Sequence, residues 1–239
     1  MFHLQTIVLG FFPFRLHAYK GRDVTHLMDD PIVGDAATAI AAREAGLPYL
    51  RGGIVEHGGS GHPIMEAVHY PDGAGHSALM ADSPSRDKMA AFTMQGEDLP
   101  QATNRVDLDA GVRDVWGFPA GRITYAPHAH EVACAHHWAP RLEQVMTEAG
   151  ARGTMWVTSP GTPGSPAPHI EPMSKHWMGT TRMGTDPASS VCDPWQRLWE
   201  VDNVLVADSS VFPTSTGYGP TLTLVALAIR ASRALASSL

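Results

Sequence analysis

From Pro220 to Arg230 the chain reads PTLTLVALAIR, a helix start followed by apolar residues on every face. A helix with no polar side belongs in an interior, so the sequence expects this one to be buried all round. Pro220 suits the first helical turn, where its missing N–H would be unpaired in any case. Gly217 and Gly219 let the preceding backbone turn sharply and approach a neighbour closely. The N–H groups of Thr221, Leu222 and Thr223 then have no carbonyl within the helix to meet. Such an electropositive end favours an anion, or a group that becomes anionic during a reaction.

The 239 residues can bury one good core and divide into two lobes. With 44% hydrophobic and 17% charged residues, 23 Gly and 19 Pro, the chain is folded and loop-rich, not a helical bundle. Its 17 basic and 24 acidic residues leave a net charge of −7 without a basic run, which argues against nucleic acid and for a small-molecule ligand. Cys134 and Cys192 form neither a disulfide framework nor a Cys-x-x-Cys knuckle, and read as buried, inert thiols. The opening MFHLQTIVLGFFPF lacks the basic start and cleavage site of a signal peptide and is too short and interrupted to span a membrane. It reads as a core strand, already under way at the first residue.

Further along, GDAATAIAAREAGLP (34–48) has helical composition with a Gly-Leu-Pro stop, and GGIVEHGG (52–59) is a short strand. GHSALMADSPSRDKMAAF (75–92) is expected to be a helix or helix pair broken near Pro84. FTMQGED (92–98), NRVDLD (104–109) and GRITYAP (121–127) follow as strands, closely spaced enough to pair antiparallel. Residues 128–150 form the best amphipathic helix, with Val132, Leu142, Val145 and Met146 on its buried stripe. TMWVTS (154–159) is a strand, the Pro/Gly loop at 160–172 is the expected domain boundary, and NVLVAD (203–208) is a buried strand.

Thirteen histidines raise the question of a metal. In HAHEVACAHH, however, the position four after His130 is Cys134, so the zinc-protease helix motif is broken and no metal site is expected. His128, His130, His136 and His137 read as exposed or interfacial helix residues. A nucleophile elbow, a phosphate loop and the Gly-x-Gly-x-x-Gly dinucleotide fingerprint are all missing. His176 lies in a Gly- and Thr-rich loop, where a scaffold can present it to a ligand, although a loop histidine also serves structure alone. Asp208 closes an apolar strand, a common place for a ligand contact in α/β folds and equally for a turn residue.

Taken in order, these residues resemble the C-terminal part of the glucose–methanol–choline (GMC) oxidoreductases, flavoproteins that oxidise alcohols. The matches are His176/Gly179/Thr180, Arg182-Met183-Gly184, Asp186-Pro187, Ser190-Val191-Cys192-Asp193, Asn203 through Asp208 with Ser210, Pro213-Thr214-Ser215 and Pro220 through Thr223. EDLPQATNRVDLD, VWGFPAGRITYAPHAHEVA, RLEQVMTEAGA and the opening MFHLQTIV are similar to the family's preceding segments.

The resemblance implies an α+β fold in two parts. Residues 1–172 would be a substrate-binding-type domain, mainly antiparallel sheet with packed helices. Residues 173–239 would be a strand-and-helix segment belonging to the FAD domain, whose N-terminal Rossmann-type unit is absent. The chain then corresponds to a truncated or split product, or to a start at an internal Met. FAD is the implied cofactor and an alcohol or sugar the substrate, with a separate chain carrying the FAD-binding half as the possible partner. His176 would be the general base, and Asp208, Ser210, Pro220, Thr221 and Leu222 would contact FAD, the helix N-terminus facing the flavin N1/C2=O edge. Gly219 stands where the family usually places Asn or His, leaving Tyr218 as the nearest substrate-side candidate, and Arg182 would pair locally. The compartment stays open, with the two thiols and the missing signal leaning towards the cytoplasm.

Overall fold

A computed structural model describes residues 1–17, 20, 24–58, 67, 72–83, 85–158 and 174–237. The architecture is α+β with antiparallel sheets. In chain order come β1 (Gln5–Phe11), β2 (Leu27–Met28), α1 (Asp30–Val33), α2 (Ala36–Glu44), β3 (Val55–Gly58), α3 (His76–Ala81) and β4 (Met89–Gln95). They are followed by β5 (Arg105–Arg113), β6 (Pro119–Thr124), α4 (Ala129–Glu148), β7 (Gly153–Thr158), a 3-10 turn (Ser209–Val211) and α5 (Thr221–Ala236). The chain divides into two compact units: Gln5–Gly96 with Val132–Glu171, and Met1–Leu4 with Glu97–Glu131 and Pro172–Leu239.

The first unit holds a five-stranded sheet in the order β2-β3-β4-β1-β7, every described pairing antiparallel. Alternation of buried and half-buried residues along β1 marks it as a strand with two unlike faces. Val8 sits opposite Phe92 of β4 and Trp156 of β7, on the strand between them. Helix α4 supplies Trp138, Ala139, Leu142 and Met146, which pack with Val8, Phe12, Val55 and Met94 into the core. These helix positions recur at three- and four-residue spacing, the condition for one buried stripe. Val145 lies at the stripe's edge and is 43% exposed, and Val132 is only half-buried, so the stripe runs through Cys134, Trp138 and Ala139 instead. Helix α2 begins at a capping box in which Asp35 accepts from Thr38 N at 2.8 Å and Thr38 Oγ1 accepts from Asp35 N at 3.2 Å.

Two local expectations change in this unit. The helix or helix pair over 75–92 shrinks to α3, which ends at Ala81; Asp87 takes a left-handed φ of 58°, and Met89 starts β4. Pairing with β1, extended by Phe12 N donating to Lys88 O at 2.8 Å, overrides the helical composition of that stretch. The strand at 92–98 does not pair with the next two in sequence, because β4 is taken up between β3 and β1.

In the second unit β5 and β6 form a two-stranded ribbon of their own. The buried strand expected at 203–208 is absent: Leu205 makes a single bridge to Arg197, and Val204 is 41% exposed. Helix α5 is likewise open on most sides, with Leu222 83% exposed and only Ala231 buried. A central strand needs a ladder on each edge, and an all-apolar helix needs cover on each face. Among the described residues neither is supplied. The boundary expected within residues 160–172 lies outside the described residues.

Candidate active site

His176 is held on a loop whose backbone is stitched to two other stretches of the second unit. The His176 N–H donates to Oγ of buried Ser174 at 3.0 Å. Met178 N–H then reaches Met1 O at 2.8 Å, and the N–H groups of Gly179, Thr181 and Met183 donate to the carbonyls of Ser209, Ser210 and Val211 at 3.3, 3.0 and 2.8 Å. The spacing of the motif explains itself here. Gly179 has a φ of 88°, and a Cβ there would lie 2.5 Å from Met1 Cε and 3.3 Å from Phe212 O, so only glycine lets the loop run this close.

The acidic residues of the motif region mostly build turns. Asp186 accepts from Ala188 N, and Asp193 accepts from both Trp195 N and Arg197 N. Arg182 donates to Ser189 O at 3.0 Å and stays local. Asp208 caps the 3-10 turn by accepting from Ser210 N at 2.8 Å, while the Ser210 hydroxyl meets that of Thr181. Asp208, Ser209, Ser210, Thr180 and Thr181 form the polar side of a cavity of about 510 Å³, whose apolar side includes Phe2 and Trp177. His176, Tyr218, Gly219, Pro220, Thr221 and Leu222 are not among its lining residues.

Pro220 is the residue just before the first helical turn of α5, and no side chain caps the helix there. The first intrahelical bond runs from Leu224 N to Pro220 O, which leaves the N–H groups of Thr221, Leu222 and Thr223 without helical partners on an exposed end. Gly219 does not take a left-handed φ, and a Cβ on it would meet nothing within 4 Å, so the close approach expected there is not seen. Glycine is therefore not required there by backbone or by packing. Tyr218 is 43% exposed.

The structure adds groups that sequence reasoning did not single out. His3 is fully buried, and its Nδ1 lies 3.0 Å from Nδ1 of His176, the rings crossing at 82°. Asp98, 1% exposed, accepts from the N–H groups on either side of His3: Phe2 at 2.8 Å and Leu4 at 2.9 Å. Its own N–H donates to Ser215 Oγ at 2.9 Å. Glu131 accepts from Leu99 N at 2.8 Å and His128 N at 2.6 Å. Burial raises both carboxyls above their ordinary range, and for Glu131 the nearby Asp98 adds to the rise.

Other histidines contribute no centre: among the described residues no group of three or more His, Cys, Asp or Glu could hold a metal ion. His130, expected at a surface or interface, is buried, and its N–H donates to His128 Nδ1. Cys134 and Cys192 are buried free thiols, donating to the carbonyls of Arg51 and Thr181. Among the described residues no helix is long and apolar enough to cross a membrane.

Comparison with known proteins gives the family. A family model described as GMC oxidoreductase matches residues 100–228, more than half of the chain. The 2-methyl-1,2-propanediol dehydrogenase of Mycolicibacterium austroafricanum is 37% identical over 138 residues, covering 58% of this chain and 23% of that protein. The paromamine 6'-oxidase of Streptomyces fradiae is 32% identical over 194 residues, 77% of this chain and 34% of its own length. A solved structure of Aspergillus oryzae formate oxidase, from work on the modification of its FAD, superimposes with a TM-score of 0.58 at 11% identity, over 98% of this chain and 46% of the other. The chain thus spans about a quarter to a third of these two curated relatives. On the family match, and on the partial coverage that accompanies it, this chain belongs to the GMC oxidoreductases as a C-terminal portion.

Proposed function

We propose that the chain is the catalytic C-terminal part of an FAD-dependent oxidoreductase that acts on the CH–OH group of an alcohol or sugar. The observation that carries this reading is the pair of bonds from Gly179 N to Ser209 O and from Thr181 N to Ser210 O, which tie the His176 loop to the polar Asp208–Ser210 turn. The residues fit a flavin dinucleotide in kind. An uncapped 16-residue helix offers free N–H groups to a group that gains negative charge, and the cavity wall offers Asp208 and hydroxyls to a polar chain. Bound FAD would supply the acceptor for the hydride that leaves the carbinol carbon.

The protein's own groups do the rest. His176 takes the hydroxyl proton, a role suited to imidazole near neutral pH and worth typically ~10²–10⁴-fold. The N–H groups of Thr221, Leu222 and Thr223 would face the flavin's N1/C2=O edge, where a fixed dipole stabilises developing charge. Pro220 sets that helix start, and Asp208 and Ser210 would hold the ribityl or pyrophosphate portion. With Gly219 bearing no side chain, a second hydrogen bond to the substrate oxygen falls to Tyr218 or is absent. In this scheme residues 1–172 form the substrate-binding-type domain and 173–239 the segment shared with the FAD domain.

A second reading is favoured by the exposed apolar faces of α5 and of residues 203–208: a silent or split subunit that binds FAD only with another polypeptide. Expressing the chain alone, with and without added FAD, separates the two. Flavin absorbance that co-purifies and bleaches with an alcohol or sugar supports the oxidoreductase; colourless protein that ignores FAD supports the split subunit.

A further inference from the structure

We infer that His3 is a positioning residue that sets the tautomer of His176, so that Nε2 of His176 carries the lone pair and can take a proton. The inference rests on the proposed base role of His176. Two ring nitrogens 3.0 Å apart must share one hydrogen, because two lone pairs or two N–H groups would repel at that distance. The rings cross at 82°, so they meet through their nitrogens and are not stacked. Two arrangements remain. In one, His176 donates Nδ1–H to Nδ1 of His3 and keeps a lone pair on Nε2. In the other, His3 donates and His176 holds its hydrogen on Nε2, where it can accept nothing.

Only the first arrangement survives proton uptake. Once protonated, His176 has N–H on both nitrogens, and Nδ1–H still finds a lone pair at Nδ1 of His3. In the second, the incoming proton would have to land on the nitrogen that faces another N–H. His3 is 0% exposed, and burial disfavours a charged imidazole, so it stays the neutral acceptor throughout. Its place is set by Asp98, which accepts from Phe2 N and Leu4 N on both sides of it. The arrangement parallels the orienting carboxylate of a serine-protease triad, where a wrong tautomer costs about 10⁴ in kcat, with a weaker acceptor here.

The test is ring ¹⁵N NMR of the full chain, with the His176 signals assigned by their loss in His176→Gln. The expected result is His176 as the Nδ1–H tautomer and His3 as the Nε2–H tautomer when both are neutral. His3→Leu should return His176 to a mixture rich in Nε2–H. His3→Asn, whose Oδ1 can stand where Nδ1 stood, should keep His176 in the Nδ1–H form. Wild-type His176 found as Nε2–H, or a tautomer unchanged by His3→Leu in a folded variant, overturns the inference. In the flavin-loaded enzyme, His3→Leu should lower kcat by about tenfold or more at similar KM, and His3→Asn should restore most of it. A locked tautomer in a chain that never binds FAD upholds the positioning and defeats the oxidoreductase reading; FAD binding with an Nε2–H His176 does the reverse.

Discussion

The amide of Gly179 donates to the carbonyl of Ser209 at 3.3 Å, and this bond holds the His176 loop against the turn that Asp208 caps. At a φ of 88° Gly179 holds a left-handed backbone that strains any L side chain, and a Cβ there would also press on Phe212 O at 3.3 Å. Gly179→Ala should destabilise the fold by about 1–3 kcal/mol, read as a fall in the midpoint of thermal or urea unfolding. An unchanged midpoint would mean that the loop is not held as described.

His176 is half-buried, and its Nδ1 lies 3.0 Å from Nδ1 of fully buried His3, so His176→Ala removes a hydrogen-bond partner of a buried nitrogen and should lower stability by about 1–3 kcal/mol, read from the unfolding midpoint. In the flavin-loaded enzyme it should cost at least about tenfold in turnover. Full activity in this variant would end its assignment as the base.

Gly219 offers the opposite case. Since nothing lies within 4 Å of a Cβ there and its φ is not left-handed, Gly219→Asn should change stability by less than about 0.5 kcal/mol. In the loaded enzyme the added amide should hold or raise turnover by giving the substrate oxygen a second hydrogen bond. A large loss of stability would show that the open space is filled in solution.

The buried carboxyls predict how stability depends on pH. Glu131, raised from 4.5 to about 8, binds its proton more tightly in the folded than in the unfolded chain. The folded state therefore holds more protons between those values, and stability falls as pH rises through that window. Urea titrations from pH 4 to 8 should show this decline, and Glu131→Gln should flatten it. The substitution also leaves one of the amides of Leu99 and His128 without its acceptor, a cost of about 1–3 kcal/mol. A slope identical in both proteins would assign the titration elsewhere.

Much of the outline was legible from local pattern. The presence of the first strand, the stop of α2 at its Gly-Leu-Pro run, the long amphipathic α4 and the helix launch at Pro220 all follow from neighbours in sequence. So do the turns at Asp186 and Asp193, whose carboxylates accept from amides two positions on.

Other features depended on distant partners. Residues 85–92 became turn and strand because β1 offered a ladder edge. Residues 203–208 and α5 stayed exposed because apolar character alone does not bring a covering layer. His3 and Asp98 were invisible for the same reason: His3 meets a residue 173 positions away, and Asp98 binds amides 94 and 96 positions away. Hydrophobic period and turn chemistry act over a few residues and are written in the sequence. Which nitrogen faces His176, and which faces of α5 are covered, are set by long-range packing, and only the tertiary structure decides them.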